Sequence, residues 1–183
     1  MKMPMKTSGE IRPEIRPEIR PEISAKIPAK IMAAFEAAKK VRLNAHAPYS
    51  GFQVGAALLS GGMTFDGCNI ENASYGGTVC AERVSIFKAV SEGTVSFSDI
   101  VVITDAPEPA FPCAFCLQVM AEFFEPSTKI WLGDLRELRS VHKFQDLLPH
   151  PFGPKQLKDA KVPIKKMTNK ITDKSSMTTK KRP

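Results

Sequence analysis

What this sequence lacks narrows it first. No apolar run approaches the roughly 18 residues that a membrane-spanning helix requires. The opening MKMPMKTSGE is basic, but no apolar stretch follows it, so no secretory leader is read there. Four glutamates among residues 1–22 argue against a mitochondrial presequence. Cysteine is scarce, at 4 residues. Two disulfides are possible in number, but without an export signal, reduced thiols serving a metal in the cytoplasm are the better reading.

What is present suits one domain of ordinary size with tails. The chain has 183 residues and 43% hydrophobic content, enough for a real core. Its net charge of +7 is unevenly placed. Residues 1–28 carry six basic and four acidic side chains, and residues 155–183 carry ten and two. The middle carries ten basic and thirteen acidic, so the domain itself is mildly acidic. A nucleic-acid footprint is a basic stripe on the folded body, so nucleic acid is not the expected partner.

Residues 11–22 repeat Ile-Arg-Pro-Glu three times. A proline at every fourth position removes helix donors and forbids a regular helix, so residues 1–28 are expected to be an extended or disordered arm. Residues 29–155 form the expected domain, and 156–183 a basic, disordered tail. Within the domain, helical spacing of Ile31, Phe35, Ala38 and Val41 predicts a helix over 29–45. Strands are expected over Phe52–Leu59 and Met63–Asn69, joined by a Gly61-Gly62 hairpin turn. A helix over Val79–Ser91 follows, with Val84, Phe87, Ala89 and Val90 on its apolar side. DIVVIT at 99–104 reads as a buried parallel strand, and Cys113–Phe124 as a helix with Val119, Met120 and Phe123 along one side. Short strands at 128–132 and 140–144 and a helical turn at 145–148 complete the domain.

Two short stretches carry the chemistry. Cys113 and Cys116, at i and i+3, share one face of a helical first turn and can grip one ion. Cys80 offers a third thiol, and Glu82 lies two residues from it. Strand–helix–strand units send successive helices off the carboxyl edge of a parallel sheet, so the three thiols are expected to converge there. Each stands at or near a helix amino terminus, whose partial positive charge favours a thiolate. Three thiolates leave one tetrahedral position open, as in a catalytic zinc site. A closed structural site would need a fourth ligand, and Cys68 is the candidate; as a small buried hydrophobe it has a simpler explanation.

Cys80-Ala81-Glu82-Arg83 with Pro112-Cys113-Ala114-Phe115-Cys116 resembles the three-cysteine form of the zinc nucleoside and nucleobase deaminase signature. The likeness extends to Ala47-Pro48-Tyr49-Ser50, Phe52, Val54 to Leu58, Gly67 to Ala73, Lys88 to Gly93, and Leu147-Leu148-Pro149 with Phe152, and is to the small homotetrameric cytidine deaminases. It covers residues 29–155. The resemblance implies an α/β fold, a three-layer α-β-α sandwich with a mixed sheet of about five strands. It implies zinc-dependent hydrolytic deamination of cytidine and deoxycytidine, with one Zn2+ per subunit on Cys80, Cys113 and Cys116. Zinc activates water for attack at C4 of the base, and Glu82 moves the protons. Asn69 and Glu71 hold the ribose, Phe52 lies against the substrate, the Cys80 backbone amide and the Ala81 carbonyl recognise the base, and Tyr75 and Phe152 act across subunit boundaries of a homotetramer. Neither a membrane nor a nucleic acid is implied.

Other readings remain open on the residues alone: a deaminase of another cytosine-bearing substrate such as an aminoacyl-nucleoside antibiotic, a polynucleotide deaminase using the lysine-rich tail, or a zinc-stabilised interaction protein. The chain also departs from the family pattern. Leu117 follows Cys116 where the family has an arginine beside the ligand thiolates, which leaves charge tuning to Arg83, and Phe115 is bulkier than usual. Leu117→Arg is therefore expected to raise zinc affinity or activity at neutral pH, as measured by chelator competition and pH–rate profiles; no change in either would contradict this account.

Overall fold

The computed structural model describes residues 27–153 and Gln156. The Ile-Arg-Pro-Glu repeats and the lysine-rich stretch after residue 156 lie outside the described residues. The chain forms α1 (Ala29–Arg42), β1 (Val54–Ser60), β2 (Met63–Cys68), a single 3-10 turn (Tyr75–Gly77), α2 (Ala81–Ser91), β3 (Asp99–Thr104), α3 (Ala114–Phe123), β4 (Lys129–Gly133), β5 (Leu138–Lys143) and a short α4 (Phe144–Leu147). One five-stranded sheet has the order β2-β1-β3-β4-β5. β1 runs antiparallel to both β2 and β3, β3 is parallel to β4, and β4 is antiparallel to β5. The sheet is thus mixed, with β2, β3 and β4 running one way.

The alternation of side chains along each strand fixes three layers. Ile100 and Val102 of β3 join Ala56 and Leu58 of β1 in a core with Ile86 and Ala89 of α2 and Met120 of α3. Val101 and Ile103 point the other way and pack with Ala57, Leu59 and Trp131 against Ile31, Ala34, Phe35 and Ala38 of α1. Burial of β3 on both faces is why its sequence is a continuous apolar run. The β1–β2 hairpin closes at Gly61-Gly62, both at positive φ, which a two-residue turn matching the strand twist requires.

Several boundaries differ from the sequence-based expectation, each for a nameable reason. α1 ends at Arg42 rather than at 45, because that side chain turns inward and is nearly buried. Its Nε donates to the Gln53 carbonyl at 3.0 Å and its guanidinium pairs with Asp105. β1 begins at Val54 rather than Phe52, since the Asn69 side chain occupies the backbone polar groups there. β5 starts at Leu138, earlier than expected, and alternates buried Leu138, Ser140 and His142 with exposed Arg139 and Lys143. In α2 the buried stripe is Glu82, Ser85, Ile86 and Ala89, while Phe87 stands exposed. Two polar members hid that stripe, and the bulky Phe87 took its place in the periodicity. Among the described residues no helix is long and apolar enough to cross a membrane.

α2 seats closely on β2 because position 67 has no side chain. A Cβ on Gly67 would lie 2.5 Å from the Ser85 backbone nitrogen and 2.7 Å from the Ala81 carbonyl oxygen. Both are helix backbone, so α2 as a whole must move to admit a methyl. Gly67→Ala is expected to cost about 3 kcal/mol of stability in chemical denaturation. Gly76→Ala, which meets open space, serves as the control and should change it little.

Candidate metal centre and active site

The centre is built from two helix beginnings. Parallel β2 and β3 release the chain at the same edge of the sheet, although β1 lies between them. After β2 the chain makes an excursion through residues 71–78 and returns where Ile70 and Val79 exchange two backbone hydrogen bonds, both of 2.9 Å. That bridge delivers Cys80 as the N-cap of α2, in extended backbone. After β3 a proline-rich loop delivers Cys113 as the N-cap of α3, also extended, and Cys116 follows in the first turn.

The sulfurs of Cys80 and Cys113 lie 3.8 Å apart and those of Cys113 and Cys116 3.6 Å apart. All three fall within 4.8 Å of one another. A tetrahedral ion with metal–sulfur bonds of about 2.3 Å sets neighbouring sulfurs about 3.8 Å apart. The donor set and its spacing therefore fit zinc. Cys116 is buried, Cys80 half-buried and Cys113 exposed. Cys68 is half-buried and outside the cluster.

The sulfurs and their charged neighbours act on one another. The Cys116 thiol donates a hydrogen bond to Cys80, and with help from Arg83 this draws the Cys80 thiol down to about 5 against the cost of burial. Cys116, as the partner that keeps its proton, is pushed up by the same bond, then by burial and by Glu82. Arg83 donates to the Thr78 carbonyl at 2.9 Å and to the Cys80 sulfur at 3.7 Å, while its buried Nε has no partner among the described residues. Leu117 packs against the core on the α3 side. Glu82 lies in the first turn of α2 and is 5% exposed. Burial, with the nearby Cys80 charge adding to it, pushes its carboxyl up to about 7. A carboxyl poised near neutrality both takes and returns a proton.

The remaining expected residues sit as follows. Asn69 is buried: its Oδ1 accepts the Val54 N–H at 2.8 Å and its Nδ2 donates to the Phe52 carbonyl at 2.8 Å. The Glu71 carboxylate accepts from the Tyr49 and Ser50 backbone N–H groups and from the Ser50 hydroxyl. Phe52 and Phe152, which periodicity alone would assign to a core, are exposed. Tyr75 is 78% exposed and tilted against Tyr49. Ala81 is fully buried, and its carbonyl oxygen, expected to meet the base, instead faces Gly67 of β2, as the carbonyl of a first-turn helix residue seated on that strand must. Its N–H, at the first position of α2, has no intrahelical acceptor. Three contributors were not singled out from sequence: Ser50, the Thr78 carbonyl, and Gln118, whose Nε2 donates to the Phe152 carbonyl at 2.6 Å. Ser50 sits in a Pro-Tyr-Ser-Gly turn that signals only a chain reversal, and Gln118 is one polar side chain on an amphipathic helix.

Comparison with known proteins agrees with this geometry. Residues 29–130 match the family model for the cytidine and deoxycytidylate deaminase zinc-binding region. A cytidine deaminase of Halalkalibacterium halodurans is 46% identical over 123 residues, covering 67% of this chain and 93% of the relative. A probable cytidine deaminase of Dictyostelium discoideum is 50% identical, covering 67% and 83%. The crystal structure of a Burkholderia pseudomallei cytidine deaminase superposes with a TM-score of 0.63 at 44% identity, covering 66% of this chain and 98% of that one. The Mycobacterium tuberculosis cytidine deaminase gives 0.60 at 31% identity, covering 69% and 99%. With a cluster of three thiols at two helix ends and a matching family model over most of its folded domain, the chain belongs to the zinc-binding cytidine and deoxycytidylate deaminase family.

Proposed function

We propose that this chain catalyses the hydrolytic deamination of cytidine and deoxycytidine to uridine and deoxyuridine, releasing ammonia. The observation that carries this reading is a buried carboxyl, Glu82, in the first turn of α2 beside three thiols spaced to hold one ion. Cys80, Cys113 and Cys116 would hold the zinc, which when bound supplies Lewis acidity that makes water a nucleophile near neutral pH. Glu82 takes the proton of the attacking water, delivers one to N3 of the base and then assists departure of ammonia. An amide cannot perform that cycle. Arg83 and the positive ends of α2 and α3 offset the negative charge of three sulfurs.

Phe52 lies against the base, the Ala81 N–H offers it a backbone donor, and Asn69 and Glu71 take the ribose. Tyr75 and Phe152, exposed on the single chain, act across subunit boundaries of a homotetramer. Large exposed aromatics near a site support an oligomer that covers them. Three free thiols committed to a metal support a cytoplasmic setting.

Two outcomes follow from the role of Glu82. Glu82→Gln should lower kcat for cytidine, followed by loss of substrate absorbance, by about 1,000-fold or more, while metal analysis still finds zinc in the variant. Normal turnover by Glu82→Gln would sink the mechanism. The second concerns stability of the metal-free protein. Folding raises this carboxyl from 4.5 to about 7, so the folded chain binds an extra proton between those values and loses stability as pH rises through them. A glutamine, neutral throughout, avoids this loss. Chelated Glu82→Gln is expected to be more stable than the chelated parent by about 3 kcal/mol at pH 8, with the difference vanishing below about pH 4.5 in denaturant titrations.

A further inference from the structure

Between the sugar-binding and base-binding residues lies one hydroxyl. Residues 47–51 reverse direction with the Gly51 N–H bonded to the Ala47 carbonyl at 3.0 Å. The reversal aims the Tyr49 and Ser50 N–H groups at Glu71 Oε2, at 2.8 and 3.3 Å. Ser50 Oγ accepts the Phe52 N–H at 3.0 Å and donates its single proton to Glu71 Oε1. Because Phe52 occupies a lone pair of that oxygen, the hydroxyl is oriented and its proton is committed to the carboxylate. A carboxylate offers about four acceptor positions, and three of them are filled from the 49–50 backbone and side chain. One position on Oε1 is left. Asn69, with Oδ1 on Val54 and one Nδ2 hydrogen on Phe52, keeps one amide N–H. One remaining acceptor and one remaining donor suit a single sugar hydroxyl, which donates to Glu71 and accepts from Asn69.

We infer that Ser50 is a positioning residue: its hydroxyl fixes the Glu71 carboxylate and the Phe52 backbone together, coupling the sugar contact to the base contact. The inference rests on the deaminase reading for the roles of Glu71 and Phe52. Ser50 itself acts through Glu71 and touches no reacting atom. Removing its hydroxyl frees Glu71 to change rotamer and to lose the donor that most favours its charged form.

Steady-state kinetics on the full zinc-loaded chain test this. Ser50→Ala is expected to raise KM for cytidine about tenfold, as loss of one hydrogen bond to a charged group does, with kcat held within about twofold. Ser50→Thr, which keeps the hydroxyl, should stay within about threefold of the parent in KM. In a Glu71→Gln background Ser50→Ala should add less than about twofold. The same factor in both backgrounds, or a fall in kcat at unchanged KM, would overturn the proposal. A second readout needs no turnover. The Glu71 carboxyl titration, followed by NMR, should move upward in Ser50→Ala, since the Tyr49 and Ser50 backbone donors and the His46 charge that also lower it are the same in both proteins. An unmoved titration overturns the inference as well. If Ser50→Ala does not fold, Ser50→Cys, of similar size but a weak donor, takes its place with the same expected direction. A parent protein that holds zinc but leaves cytidine unchanged contradicts the deaminase reading, and the Glu71 titration then decides the role of Ser50 on its own.

Discussion

Two helices must begin over one edge of the sheet for this site to exist, and the strand directions ensure it. β2 and β3 are parallel although β1 separates them, so the segments after both strands emerge on the same side. The Ile70–Val79 bridge cancels the excursion between β2 and α2 and returns Cys80 to that edge. The absent side chain at Gly67 lets α2 lie close enough for its first turn to reach α3. Change any of these and three sulfurs no longer share one point.

The clustered groups resist one another. Three sulfurs and a carboxyl in one small region cannot all be ionised without a cation, so the Cys80 thiol is drawn down while Cys116 and Glu82 are pushed up. Helix termini and Arg83 offset part of the remaining charge. The same burial and crowding push the Glu82 carboxyl up, toward the range in which it can exchange a proton.

The sequence made the thiol constellation legible because its spacing is a local property: i and i+3 on a first turn place Cys113 and Cys116 together wherever the helix lies. Cys80 joined them by topology, and that expectation survived the insertion of an antiparallel β1 because only the relative direction of β2 and β3 mattered. Element ends were less legible. At the start of β1 a buried Asn69 side chain replaces ladder hydrogen bonds, and at the end of α1 Arg42 turns inward; both substitutions involve partners many residues away. The α2 stripe was misread because function had placed Glu82 on a face where burial normally demands an apolar residue. The Ser50 hydroxyl was invisible, since a turn signal gives a chain reversal and not the direction of a proton.

The separation of Cys80 from Cys113 in the chain has a mechanical side. An ion gripped by both would close a loop of 33 residues. In the chain-entropy picture a link of that span removes about 4 kcal/mol of freedom from the unfolded ensemble. The catalytic ion would then serve as a staple between α2 and α3, and the chemistry and the durability of this fold would be lost to a chelator in the same step.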